Sequence, residues 1–201
     1  MADVAEETKA VEIPFDLYGD LEDAYDDAER NGNEEIVQTL DIFGLWKDRP
    51  NTGTWFMHKI WRALKGNVVA QTDVGRAFYW DDNVPNEKRE RFKWLDRPAL
   101  AIYWYGLAAE AGYGLAQWDL ARLYCPHFDP HSEFENGRFA RHWLEQAAAH
   151  KLKGAMCDLV HCLKCGACSC GRDIPRAEAL EAAMDGEGLR VGHEHRKEGG
   201  K

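Results

Sequence analysis

Between Ala99 and Tyr124 the chain reads A-L-A-I-Y-W-Y-G-L-A-A-E-A-G-Y-G-L-A-Q-W-D-L-A-R-L-Y, and 39 residues later the pattern returns. Ala101, Trp104, Ala108, Ala109, Ala116, Asp119 and Leu120 meet Ala140, Trp143, Ala147, Ala148, Ala155, Asp158 and Leu159. No other feature limits the fold so strongly. Self-similarity at a period of roughly 20–50 residues marks an array of stacked repeats, in which one unit cannot bury its own apolar face. The spacing inside the unit is helical. Ala101, Trp104, Tyr105 and Ala108 fall at i, i+3, i+4 and i+7 and form one apolar stripe. Gly112 then stops that helix, because glycine takes a left-handed cap without a Cβ clash. A second stripe follows at Ala116, Leu120 and Leu123–Tyr124.

The frame extends backwards. A shift of 46 places Gly66-Asn67-Val68-Val69-Ala70-Gln71 on Gly112-Tyr113-Gly114-Leu115-Ala116-Gln117, and a further 34 places Gly32 on Gly66 and Leu40 on Val74. The unit before Gly66 is degenerate, since Ala28 aligns with Arg62 where later units carry Ala108 and Ala147. This predicts an all-α chain, an α/α superhelix (solenoid) of about four helical hairpins. Units are expected near 20–46, 50–80, 98–125 and 137–165 within a repeat domain spanning 20–185, followed by a terminal helix at 174–185. Residues 1–19 read as a partly disordered acidic segment, and residues 186–201, with His193-Glu194-His195, as a flexible tail.

The string W-Y-x-x-A-A-E-x-G-x-x-x-A-Q-x-x-L-A-x-x-Y at Trp104–Tyr124 resembles the Sel1-like repeat, a relative of the tetratricopeptide repeat. The resemblance is close there, fair at Ala140–Leu159 and partial at Gly66–Tyr79; the chain departs from it at Lys151, where glycine is usual, and at Arg62, where alanine is usual. The resemblance implies an α/α superhelix with a concave surface and a role as adaptor or scaffold. It brings no catalytic residues. No G-x-S-x-G, P-loop or G-x-G-x-x-G occurs, so the chain is not expected to be an enzyme. An ankyrin-like array, suggested by Asn31–Leu40, ranks lower because the T-P-L-H opening is missing.

Charge is uneven. Residues 1–41 hold 14 Asp and Glu against Lys9 and Arg30, a net of −12, while the whole chain carries −10. Either this is a solvated helix face, or it is a docking surface that steers a basic partner. Nucleic acid is disfavoured, since phosphate neutralisation needs an excess of clustered Lys and Arg. The basic, aromatic-interleaved insertion at 86–97 (Lys88, Arg89, Arg91, Lys93 around Phe92 and Trp94) reads first as an elongated loop. No apolar run reaches about 18 residues, so no membrane span is expected. The acidic start lacks a secretory apolar region, which leaves the cytoplasm as the default location.

Two functional readings follow. In the first, a partner protein docks on outward residues of the first helices: Tyr103, Leu107, Glu110, Arg141, His142 and Glu145. A bacterial immunity or inhibitor protein, neutralising a basic toxin or enzyme, is a specific version of it. The other rests on H-C-L-K-C-G-A-C-S-C at His161–Cys170. Cys162 and Cys165 are three apart on a helix, and Gly166 permits a turn that folds Cys168 and Cys170 back. Four converging thiolates suit zinc, so Cys162, Cys165, Cys168 and Cys170 are candidate metal ligands of a thiol- or metal-responsive regulator. Set against this are incidental thiols, which need no cofactor, and a redox pair; permanent disulfides are disfavoured in a reducing compartment. His127 and His131, beside Cys125, read more simply as part of a turn around Pro130, and His142 and His150 as solvated.

Overall fold

A helix ends where some residue turns left-handed and lets the last carbonyls be recaptured, and here that event recurs in one register. Gly32 (φ 67°), Gly66 (φ 85°), Gly112 (φ 86°) and Lys151 (φ 59°) occupy the turn positions. Their amides donate to Glu29, Ala63, Ala109 and Ala148, three residues back. After the three glycines, Asn33, Asn67 and Tyr113 donate to Ala28, Arg62 and Ala108, completing the paired bonds of a Schellman cap. The carbonyls of Asn33, Asn67, Tyr113 and Leu152 then accept from Val37, Gln71, Gln117 and Met156, which starts the next helix. Asn33 and Asn67 add a side-chain cap, Oδ1 accepting from Ile36 and Ala70 at 3.0 and 2.8 Å.

The computed structural model describes residues 17–46, 53–80, 97–128 and 136–186. Among them are nine helices and no strand: α1 (Leu17–Asn31), α2 (Glu34–Trp46), α3 (Gly53–Leu64), α4 (Val68–Trp80), α5 (Arg97–Glu110), α6 (Gly114–Leu123), α7 (Gly137–Ala149), α8 (Lys153–Cys165) and α9 (Ile174–Gly186). Residues 1–16 of the acidic segment, the basic stretch 86–96, His131 and the tail beyond Gly186 lie outside the described residues. The chain divides into two compact units, Met1–Tyr103 and Trp104–Lys201.

In the first unit α1 packs on α2, α3 on both, and α4 on α3. Leu21, Leu40, Met57, Ile60, Val74 and Phe78 form its buried core. Lys59 Nζ meets Asp73 Oδ2 at 2.6 Å between α3 and α4, and buried Gln71 Nε2 donates to the Ala63 carbonyl at 3.1 Å. A cleft lined by Ala28, Ile36, Trp61 and Leu64, with Asp27 and Lys65 among its polar residues, opens among α1, α2 and α3.

The second unit repeats the device: buried Gln117 Nε2 donates to Ala109 O, also at 3.1 Å. Both glutamine Oε1 atoms are buried without a partner, so each amide is held by its donor end alone. α6 packs on α7, α7 on α8 and α8 on α9. Ala108, Ala116, Ala140, Ala147, Ala155 and Ala177 are all buried, and their small side chains let helix axes approach while Trp104, Leu144, Leu159 and Leu163 fill the space between.

Candidate functional site

The chemically capable side chains gather at the C-terminal ends of α6 and α8, in the second unit. Trp118 on α6 reaches α8, where its Nε1 donates to Asp158 Oδ2 at 2.7 Å. The Arg122 guanidinium lies 5.5 Å from the Trp118 ring centroid. Gly154, one turn before Asp158, leaves room for the indole: a Cβ there would overlap the Trp118 ring. Burial pushes the Asp158 carboxyl above its ordinary range, an effect opposed by the Trp118 hydrogen bond and by Arg122, His161 and His127.

Beyond α6 the chain makes a short turn, Phe128 N donating to Cys125 O at 2.9 Å, and Cys125 is buried. It forms a disulfide with Cys168, Cα to Cα 5.6 Å. This departs from the expectation that permanent disulfides are disfavoured. Cys168 arrives there because α8 ends at left-handed Gly166 (φ 81°), whose amide is recaptured by Cys162 O at 2.8 Å. Cys168 and Ser169, both at φ 52°, then hold the loop in a conformation that non-glycine residues rarely take. The loop is braced by Asp173 N donating to Leu163 O at 2.8 Å, and Ser169 sits against the start of α7, where a Cβ on Gly137 would strike it. Asp173 caps α9, its Oδ1 accepting from Arg176 N at 3.1 Å.

Three of the four predicted metal cysteines share one buried cluster with Cys125. Cys162 Sγ lies 3.3 Å from Cys168 Sγ, and Cys162 and Cys170 are hydrogen-bonded. That bond, together with burial, pushes the Cys162 thiol up. The same bond lowers Cys170, helped by Arg141 and Arg176. Cys165 separates from the cluster. It is exposed at the end of α8, about 60° around the helix from inward-facing Cys162, its sulfur 3.9 Å from the Cys162 carbonyl. Cys165 instead joins His127 and His161, whose Nε2 atoms are 2.6 Å apart and whose rings stack at 4.6 Å. One ligand atom from each of His127, His161 and Cys165 lies within 4.8 Å of the others. The only other free cysteine among the described residues, Cys157, is half-buried, and burial raises its thiol.

The outward residues fare differently. Tyr103 OH accepts from Asn33 Nδ2 at 3.2 Å. Arg141 Nε bonds Glu145 Oε1 at 3.2 Å, and Arg176 Nη1 reaches the same oxygen at 3.0 Å. His142 is exposed, its ring edge-on to Trp143 at 4.9 Å; Glu110 is exposed and Leu107 half-buried. Tyr103, Arg141 and Glu145 are thus engaged within the protein, which leaves Glu110 and His142 as the outward-facing side chains of this set.

Sequence reasoning passed over Cys125 as a sulfur partner and Trp118–Asp158 as a contact. The signal was the period itself: Trp118–Asp158, Cys125–Cys168 and His127–His161 are 40, 43 and 34 apart in sequence, each near one repeat. Neither a family model nor a curated protein sequence matches this chain.

Proposed function

We propose that this chain is a non-catalytic adaptor whose Sel1-like hairpins stack as an α/α superhelix and hold a partner protein. The observation that supports it is the recurrence of one turn, with a left-handed residue whose amide donates three residues back, at Gly32, Gly66, Gly112 and Lys151. Arrays of such units expend their sequence on mutual burial and leave long surfaces for recognition. No described helix is long and apolar enough to cross a membrane, and the −12 charge of residues 1–41 favours a partner with a basic surface. The test is affinity capture with mass spectrometry, using the full chain and a Glu110→Ala/His142→Ala double variant. Loss of one specific partner in the variant supports the reading; equal capture by both forms refutes the placement of the surface. Added salt slows association if the acidic segment steers it.

A second reading, a thiol-responsive regulator, draws on the sulfur cluster around Cys125–Cys168. A thiol 3.3 Å from a disulfide sulfur is placed for exchange. Once Cys162 has passed its proton to Cys170, whose ionised form the same contact favours, its sulfur attacks Cys168, a new S–S bond forms, and Cys125 leaves with the electron pair and takes a proton. Partner affinity that is unchanged between reducing and non-reducing buffer removes this reading.

A further inference from the structure

The pair of imidazoles and the thiol outside the buried cluster form a separate feature. His161 and Cys165 are one helical turn apart on α8 and therefore share a face. His127 comes to them from the turn after α6. All three are exposed, and one ligand atom from each lies within 4.8 Å of the other two. The segments that carry them are not independent. Cys125, two residues before His127, is bonded to Cys168, three residues after Cys165, so the crosslink staples one ligand-bearing segment to the other. The turn itself is closed by Phe128 N to Cys125 O, Cys125 N to Arg122 O and Asn136 N to Tyr124 O. Two histidines brought Nε2 to Nε2 at 2.6 Å need a proton or a cation between them, since two lone pairs or two N–H groups facing each other repel.

We propose that His127, His161 and Cys165 bind one zinc-type divalent ion at the surface of the second unit. The donor set decides the class. Two imidazoles and a thiolate suit Zn²⁺, whereas Ca²⁺ and Mg²⁺ take oxygen ligands. With bonds of 2.0–2.1 Å to nitrogen and 2.3 Å to sulfur, a tetrahedral ion asks for N···N of about 3.4 Å and N···S of about 3.6 Å. The present N···N separation needs to open by less than about 1 Å, a side-chain adjustment that exposed residues make easily. Each ring offers Nε2 once its proton sits on Nδ1, and Cys165 gives up its proton on binding. Asp158, one turn before His161 on α8, is held by Trp118 Nε1 at 2.7 Å and is not part of the donor set. Three protein ligands leave the fourth position open, to water or to a donor from a partner. The site is distinct from the buried sulfurs of Cys125, Cys162, Cys168 and Cys170, and it stands whether or not the chain is an adaptor.

The test is calorimetric titration of Zn²⁺ into chelator-stripped full-length protein in non-reducing buffer, with Co²⁺ as a spectroscopic substitute. One ion per chain is expected, and the Co²⁺ complex shows a thiolate-to-metal charge-transfer band. Cys165→Ser abolishes that band. His127→Ala and His161→Ala each weaken binding at least about 100-fold, more than the usual effect of losing a supporting partner. The three side chains are exposed, so the variants retain the wild-type circular dichroism, and Cys170→Ser leaves affinity unchanged. Absence of saturable binding overturns the proposal. So does binding that survives Cys165→Ser but is lost in Cys170→Ser, or that arises only after the disulfide is reduced, because either outcome places the metal among the buried sulfurs.

Discussion

Adding one methyl group to Gly154 tests how neighbouring hairpins meet. The added Cβ overlaps Cη2, Cζ2 and Cζ3 of the Trp118 ring, closer than real side-chain carbons approach. The indole has little freedom to yield: Nε1 is held by Asp158 Oδ2 at 2.7 Å, and Arg122 stands 5.5 Å from its centroid. Overpacking of this kind costs about 1–3 kcal/mol. If the ring swings out instead, the loss of its hydrogen bond to a carboxylate costs about 1.5–3 kcal/mol. Alanine's better helix propensity returns at most about 1 kcal/mol, and less in a first turn. The net is a loss of about 0.5–2.5 kcal/mol, or about 1–10 °C in Tm for a domain of this size. Gly106 in α5 is the control, since a Cβ there meets nothing within 4 Å. Gly106→Ala should therefore stabilise by about 0.5–1 kcal/mol. Thermal and urea melts followed by far-UV circular dichroism read both. In a Trp118→Ala background the Gly154→Ala penalty disappears, and the double-mutant cycle gives the coupling. A Gly154→Ala protein as stable as Gly106→Ala refutes the seating of the indole on α8.

Other outcomes follow from the same geometry. Gly112→Ala costs about 1 kcal/mol although its methyl enters open space, because φ is 86°; Lys151→Gly, relieving φ 59° at the corresponding turn, raises the melting temperature, and a fall refutes the shared turn. Gln117→Met removes one of the two donors to the Ala109 carbonyl, the Gly112 amide remaining, and lowers stability by about 0.5–1.5 kcal/mol; a urea midpoint equal to wild type shows the amide to be idle. Because burial raises Asp158, the native state keeps that proton where the unfolded chain has lost it. Its stabilising contribution is full below the ordinary carboxylate range and lost as pH rises through the raised value. Asp158→Asn should flatten this fall as pH rises above the ordinary carboxylate range; an unchanged profile of urea midpoints refutes it.

The helices and their turns were readable because both signals are local. A 3.6-residue apolar period with a glycine after it needs no knowledge of the rest of the chain. Leu40, Val74, Leu120 and Leu159, equivalent in the repeat frame, are all buried. Lys151, where the frame lacks its glycine, still turns left-handed (φ 59°): packing of Ala147, Ala155 and Leu159 outweighs a cost of about 1–2 kcal/mol for one strained residue. The cysteines misled for the converse reason. Four thiols within nine residues suggest a self-contained site, yet Cys168 takes its partner from Cys125, 43 residues away, and Cys165 faces histidines rather than sulfurs. Gln71 and Gln117 were visible as an aligned pair, but only the structure shows each amide donating to a carbonyl eight residues back.

The contacts one period apart share a physical consequence. In a repeat array, stability divides into terms inside each hairpin and terms between neighbours. Schellman caps, glutamine locks and alanine seams belong to the hairpins, and no titration or redox change touches them. Trp118–Asp158, Cys125–Cys168 and His127–His161 join α6 or the turn after it to α8 or the loop beyond, so they belong to the seam between neighbours in the second unit. These three pairs, one ionisable, one oxidisable and one metal-ligating, bear on that seam. Reduction of the disulfide or occupation of the histidine pair therefore alters the coupling between hairpins while leaving each hairpin formed. Far-UV signal should hold while the cooperativity of unfolding changes, and a partner that spans the seam should feel the difference in its dissociation rate.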